Sequence, residues 1–220
     1  MTKKKTPGSL SGKDLSLIET LLWENGGFFL IGRHMARLEK SAEYFSFTAD
    51  PASVIKDLNI AAEGFCPEKK YRVRLLLGAS GSVSITSSEI TCDPIQPVRV
   101  RFSEKRTQSS DVFLSHKTTR RDLYDSELSL CRKEGFFETL FMNTEGEVTE
   151  GAITNIIIEK GGAFFTPPLS SGVLPGTYRE YLLSSKEIPL KERVLYLDDV
   201  MSAEKVFVVN SVIKTVEAAF

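Results

Sequence analysis

The sequence predicts an α+β fold of two domains, with mixed sheets and flanking helices. Two apolar runs bracket the turn signal Asn25-Gly26-Gly27, and an apolar pattern of helical spacing follows them. Beyond residue 138 the pattern changes to short apolar runs separated by the turns Glu145-Gly146 and Gly161-Gly162, which marks a strand-rich second half.

Taken in order, residues 15–23 and 28–31 read as the limbs of a β-hairpin. Met35, Leu38, Ala42 and Phe45 then recur at helical spacing, so residues 34–44 form an amphipathic helix, and Asp50-Pro51 leads into a second helix at 52–63. Residues 71–77 and 83–86 are strands on either side of Gly78-Ala79-Ser80-Gly81-Ser82. A glycine-rich loop cradles phosphate where a helix starts directly after it, whereas Val83-Ser84-Ile85-Thr86 alternates like a strand, so this loop reads as a hairpin turn. A strand at 98–102 precedes the polar stretch 103–110, which reads as a connection. The expected division is a basic tail at 1–13, a small domain at 14–105, a linker at 106–112 and a larger domain at 113–220. Within the larger domain a helix is expected at 123–132, strands at 139–142, 146–149, 153–158 and 163–166, a short helix at 177–183 and a last strand at 205–209.

The 220 residues carry 28 basic and 29 acidic side chains, so no net field draws the protein to nucleic acid or to an anionic membrane, and small molecules or proteins are the expected partners. Cys66, Cys92 and Cys131 form no CxxC pair, and with only His34 and His116 beside them no metal-ligand spacing exists. Scattered thiols suit a reducing compartment. The lysine-rich start is followed by no apolar run that could act as a signal peptide or span a bilayer, so a cytoplasmic protein is expected.

The chemistry is carried by an ordered set. Lys117 lies in His116-Lys117-Thr118-Thr119-Arg120-Arg121, and Glu150 follows in Thr149-Glu150-Gly151. After these come Thr166-Pro167-Pro168-Leu169, Leu174-Pro175-Gly176-Thr177-Tyr178-Arg179 and Val209-Asn210-Ser211. Each element alone has an ordinary reading: a solvated lysine, a turn-flanking glutamate, a turn, a strand end. Together they supply an amine able to form an imine, a carboxylate able to keep a ring nitrogen protonated, and a glycine turn opening a helix, which is the equipment of a pyridoxal-phosphate site.

With these residues the chain resembles the fold-type IV pyridoxal-phosphate enzymes, a group that includes branched-chain and D-amino acid aminotransferases and aminodeoxychorismate lyase. Ile18-Glu19-Thr20-Leu21-Leu22-Trp23, Arg33-His34-Met35-Ala36-Arg37-Leu38, Tyr71-Arg72-Val73-Arg74-Leu75-Leu76-Leu77 and His116-Lys117-Thr118-Thr119 are most similar to the lyase domain often fused behind a para-aminobenzoate synthase component.

The resemblance implies pyridoxal 5'-phosphate as cofactor, with Lys117 bonded to its aldehyde and later moving a proton on the substrate carbon. It gives Glu150 the ring nitrogen and Asn155 a supporting part. Arg37, the free amides of the helix opened by Gly176, Thr177 and Tyr178, and Ser211 would hold the phosphate, and Thr20, Arg74 and Asn210 would meet the substrate. Arg74 alternates with Val73 and Leu75, so it faces away from them, toward either a substrate carboxylate or solvent. The implied activity is release of pyruvate from 4-amino-4-deoxychorismate to leave para-aminobenzoate, a step of folate biosynthesis. Its alternatives are an aminotransferase acting on branched-chain, aromatic or D-amino acids, and a partner subunit that keeps the fold without turnover. Arg120 replaces an asparagine common in lyase-like relatives, and Tyr178 a threonine common in aminotransferases. A homodimer is implied, with a separate para-aminobenzoate synthase component as a further partner.

Overall fold

A computed structural model describes residues 15–220 of the chain, so the tail expected at 1–13 lies outside the described residues. The smaller sheet has the order β2-β1-β3-β4, from β1 (Ser16–Glu24), β2 (Gly27–Phe28), β3 (Lys70–Gly78) and β4 (Val83–Ile90), all antiparallel. Asn25 and Gly26 both take positive φ, 52° and 80°, the backbone that a tight two-residue hairpin turn needs. The second limb is shorter than expected. Leu30 turns into the left-handed region (φ 55°) and α1 (Ile31–Phe45) starts at once, because Phe29 and Leu30 pack against an apolar cluster of the larger domain instead of extending the hairpin.

α1 and α2 (Pro51–Ala62) cover the sheet face that carries Leu17, Leu21, Val73, Leu75 and Leu77, and Met35, Leu38, Val54 and Leu58 complete that core. Asp50 caps α2 by accepting hydrogen bonds from the Ala52 and Ser53 amides at 3.1 and 3.3 Å. The loop at 78–82 joins β3 to β4 as a hairpin, as its alternation implied.

The larger sheet comprises β5 (Val98–Thr107), β6 (Glu138–Asn143), β7 (Val148–Gly151), β8 (Asn155–Lys160), β9 (Ala163–Thr166), β10 (Leu190–Glu192), β11 (Lys205–Asn210) and β12 (Lys214–Ala219). Their order is β10-β9-β8-β11-β12-β5-β6-β7, and β7 also pairs with β8 through Glu150 and Asn155. That pairing closes β8, β11, β12, β5, β6 and β7 into a ring around Val100, Leu140, Val148, Ile156 and Val208. The β12–β5, β5–β6 and β9–β10 pairs are parallel and the others antiparallel, so the sheet is mixed.

Two expectations change. Residues 103–107 are strand where a connection was expected, and all of β5 belongs to the larger sheet, so 98–105 are not part of the small sheet. Ser103 and Thr107 are buried while Glu104, Lys105 and Arg106 are exposed, which makes a strand of polar composition look like a loop. β12 was not anticipated, since only Val216 and Ala218 mark its inner face.

α3 (Asp122–Lys133) packs on the outer face of β6, where Leu128 and Cys131 meet Phe141. α4 (Thr177–Ser185) lies against β11, and α5 (Leu197–Met201) is a short turn that adds Val200 to the ring's core. Among the described residues no helix is long and apolar enough to cross a membrane.

Ile156 is fully buried at the centre of the ring, so Ile156→Ala is expected to cost about 2–5 kcal/mol. Asp50→Ala, which removes only a cap, should cost about 1 kcal/mol. Urea unfolding of the two variants beside the parent checks the order and the size of the two effects.

Candidate active site

A cavity of about 430 Å³ opens between the two sheets, with walls drawn from both. Lys117 enters it from a segment that the small sheet holds by backbone bonds. The Ile18 amide donates to the Lys117 carbonyl at 2.8 Å and the Thr119 amide to the Ser16 carbonyl at 2.9 Å, with a bridge between Leu17 and Thr118. The edge of β1 thus fixes where the lysine backbone sits. Burial pulls the Lys117 ammonium down to about 7, with the charges of Arg121 and Arg37 acting in the same direction. A substantial fraction of the amine is therefore unprotonated at neutral pH.

Glu150 is the next-to-last residue of β7, at the point where the ring closes. It accepts from the Leu174 amide at 3.0 Å, from the Tyr124 hydroxyl at 3.1 Å and from Asn155 Nδ2 at 3.3 Å. Burial pushes its carboxyl up to about 7, against the Leu174 and Tyr124 hydrogen bonds and the Lys117 charge. Such a carboxyl is close in proton affinity to a weakly basic ring nitrogen. Asn155 also donates to the Leu174 carbonyl at 3.1 Å, so one amide ties Glu150 to the loop that leads into α4. Behind this loop the buried Glu138 accepts from the Ala152 and Ile153 amides at 3.1 and 3.0 Å and fixes the bend after Gly151.

Gly176 is the N-cap of α4, and no side chain caps that helix. A Cβ at Gly176 would fall on Asn155 Oδ1, so only glycine allows the turn and Asn155 to sit this close. Gly176 and Thr177 at this helix start line the cavity together with Arg37 and Ser211, and the first-turn amides have no partner within the helix. An anionic group bound there would meet an uncapped helix start and a guanidinium. With an amine of lowered basicity and a raised carboxyl in the same cavity, these residues fit pyridoxal phosphate.

Arg37 is held by Glu19, which receives Nε–H at 2.9 Å and Nη2–H at 2.6 Å, and its Nη1–H reaches the Pro175 carbonyl at 3.1 Å. Ser211 donates to the Thr20 carbonyl at 3.1 Å and so joins the β11–β12 turn to β1. Thr20 and Arg74 are cross-strand partners and both line the cavity, which settles the direction of Arg74.

The side chains of two expected residues have partners of their own. The Tyr178 ring lies in an apolar cluster with Phe29 at 5.9 Å, because the helix turns this side chain toward the core, while its backbone amide belongs to the uncapped first turn of α4. Asn210 lines the cavity, but its amide serves the backbone: Nδ2 donates to the Ile153 carbonyl at 3.0 Å, and Oδ1 accepts from the Val212 and Ile213 amides at 2.8 and 3.0 Å. Arg120 stacks its guanidinium over Phe113 at 4.2 Å on the cavity wall.

Three further residues, with no motif of their own in the sequence, hold the site together. Arg121 donates to Asp125 and to the Ala152 carbonyl at 2.6 and 2.9 Å, and its charge acts on Lys117. Tyr124 holds Glu150, and Glu19 holds Arg37. Glu19 left a signal, since it occupies a position on the apolar face of β1 between Leu17 and Leu21. Tyr124 left little, because an aromatic residue on a helix normally reads as core.

Residues 16–219 match the amino-transferase class IV family. A Thermotoga maritima protein, provisionally described as a branched-chain-amino-acid aminotransferase, is 27% identical over 205 residues, 89% of this chain and 73% of its own length. A Schizosaccharomyces pombe protein, provisionally described as an aminodeoxychorismate lyase, is 27% identical over 209 residues, 90% of this chain and 87% of its own. Among solved structures, a Mesorhizobium loti protein provisionally described as an amino-acid aminotransferase superposes with a TM-score of 0.87 at 33% identity, covering 94% of this chain and 99% of its own.

Cofactor attachment should follow the fraction of Lys117 that is unprotonated. Its rate is expected to fall about tenfold per pH unit below pH 7 and to level off above it, where an ordinary lysine would keep gaining up to its usual value near 10.5. Stopped-flow absorbance on the cofactor-free protein gives the profile. Gly176→Ala should displace Asn155, lower stability by about 1–3 kcal/mol and weaken cofactor binding, as read by thermal melting and an absorbance titration.

Proposed function

Because the chain belongs to the class IV aminotransferase family, whose members are pyridoxal-phosphate enzymes, we propose that it is a 4-amino-4-deoxychorismate lyase releasing pyruvate to leave para-aminobenzoate. The observation that carries this reading is a pair of arginines on β3. Arg72 and Arg74 line the cavity, and among the described residues neither makes a side-chain hydrogen bond or ion pair. Burial lowers the Arg74 guanidinium, and the nearby Arg121 charge adds to that. Two unpartnered guanidinium groups beside Arg121 suit a substrate with two carboxylates, as this one has.

Bound pyridoxal phosphate supplies an aldehyde that condenses with amines and a ring that draws electrons from the neighbouring carbon. With the cofactor bound, Lys117 Nζ would remove the proton from the amine-bearing ring carbon of the substrate. Glu150, which Tyr124 and Asn155 keep in position, would hold a proton at the pyridine nitrogen. Arg74 and Arg72 orient the carboxylates so that the enolpyruvyl group departs with its C–O bond electrons. The departing enolate takes up a proton to leave as pyruvate, and aromatisation of the remaining ring makes the cleavage favourable. The same reading has the protein acting as a homodimer in the cytoplasm, on substrate made by a separate para-aminobenzoate synthase component.

The alternative reading, an aminotransferase, is favoured by Phe113, Leu114, Leu128 and Phe137, which give part of the cavity an apolar wall suited to a branched side chain. In that reaction Lys117 would return the proton to the cofactor carbon. A coupled assay separates the two: chorismate, glutamine and the synthase components are supplied, and para-aminobenzoate is followed by fluorescence. Release that disappears in Lys117→Ala, together with a loss of at least about tenfold in kcat/KM for Arg74→Ala, is the expected result. Absence of para-aminobenzoate, with conversion of the cofactor spectrum by a branched-chain amino acid, would overturn the lyase reading.

A further inference from the structure

Glu19 is 1% exposed and does not line the cavity, yet it sits on the face of β1 otherwise given to Leu17 and Leu21. A buried carboxylate at an apolar position has to be compensated, and the compensation is directional. Oε1 accepts from Arg37 Nε at 2.9 Å, and Oε2 from Arg37 Nη2 and His34 Nδ1, each at 2.6 Å. Burial would raise this carboxyl, but the Arg37 charge and the His34 bond hold it at about 2, so it stays ionised. Burial lowers His34 as well, against the pull of Glu19.

From Glu19 two arms reach the same turn of the larger domain. Through Arg37 Nη1 it reaches the Pro175 carbonyl at 3.1 Å, and through His34 it reaches Thr177, whose hydroxyl lies 3.4 Å from His34 Nε2. Pro175 and Thr177 flank Gly176, the uncapped start of α4. Of the five N–H bonds of a guanidinium, Glu19 and Pro175 take three, which fixes both its plane and its rotation. One N–H on each terminal nitrogen is left over.

We propose that Glu19 is the positioning residue of the anion subsite: it locks Arg37 and His34 against the Pro175–Thr177 turn, so that Arg37 presents its remaining N–H groups beside the free amides of α4. The inference rests on pyridoxal phosphate being the cofactor and not on the lyase reading. A simpler part for Glu19, balancing the charge of Arg37, makes the opposite prediction. If charge alone mattered, removing a carboxylate close to the subsite would strengthen phosphate binding. If Glu19 orients Arg37, removing it weakens phosphate binding despite the more favourable charge.

The test compares pyridoxal phosphate with pyridoxal, which has the aldehyde and ring but no phosphate. Both are titrated by absorbance into the cofactor-free parent, Glu19→Gln and Glu19→Asp, with thermal melting as the fold control. For Glu19→Gln the affinity for pyridoxal phosphate should fall at least about tenfold while that for pyridoxal changes less than about twofold. Glu19→Asp keeps the charge but withdraws it by one methylene, so the ratio of the two affinities should fall there too, and this variant decides the matter if Glu19→Gln does not fold. Tighter or unchanged binding of pyridoxal phosphate, an unaltered ratio in Glu19→Asp, or equal weakening of both ligands would overturn the proposal.

Discussion

The pairing of Glu150 with Asn155 is the junction on which the rest of the structure depends. It is the contact through which β7 meets β8 and the large sheet becomes a ring. The same two side chains then project into the cavity, where Asn155 holds Glu150 and the Leu174 carbonyl. Because Gly176 packs directly on the Asn155 amide, the start of α4 is located by the same contact. One register decision thus closes the core, aims a carboxylate and places an uncapped helix end. Glu138, buried beneath the 151–154 bend, fixes the backbone between the two paired residues by accepting four hydrogen bonds, from the Thr139, Ala152 and Ile153 amides and from the Thr154 hydroxyl.

The small domain supplies the opposing wall and part of the cavity's positive charge. Arg37, Arg72 and Arg74 come from α1 and β3, while Arg121 approaches from the start of α3. Concentrating cations around a half-buried lysine lowers its proton affinity, and the buried Glu19 and Glu150 limit the effect. The cavity is therefore an electrostatic balance drawn from both domains. Backbone bonds from Ser16 and Ile18 to residues 117–119, and the Ser211 bond to Thr20, hold the two sides in register.

The alternation in β3 is legible because burial on one face imposes a period of two, whereas β1, buried on both faces, reads as an apolar run ended by the Asn25-Gly26 turn. β5 was read too short and β12 was missed, since their inner faces are marked by few apolar residues and the core contacts that make them strands come from distant segments. Among the candidate site residues, Lys117, Glu150, Arg37, Asn155, Gly176, Thr177, Ser211, Thr20 and Arg74 were all picked from short motifs, and the fold gathers them around one cavity. The Tyr178 ring, from the same motif, packs into the apolar core, because neighbouring residues on a helix face different directions, and only its amide belongs to the helix start. Tyr124 and Arg121 were overlooked because their partners, Glu150 and the Ala152 carbonyl, lie 26 and 31 residues away in sequence.

By itself the sequence determined which chemical groups are available: an amine flanked by arginines, a carboxylate before a glycine, a glycine at a helix start, and the apolar periods that build two sheets. Those are local properties, set by residue type and spacing over a few positions. The tertiary structure alone decided which of those groups face one another and at what proton affinity, because burial and the charges of chain-distant neighbours act through space. That is why Lys117 and Glu150, whose ordinary values lie far apart, both come to about 7 in the same cavity. It is also why Glu19, read from sequence as part of a strand motif, emerges as the group that holds Arg37 in place.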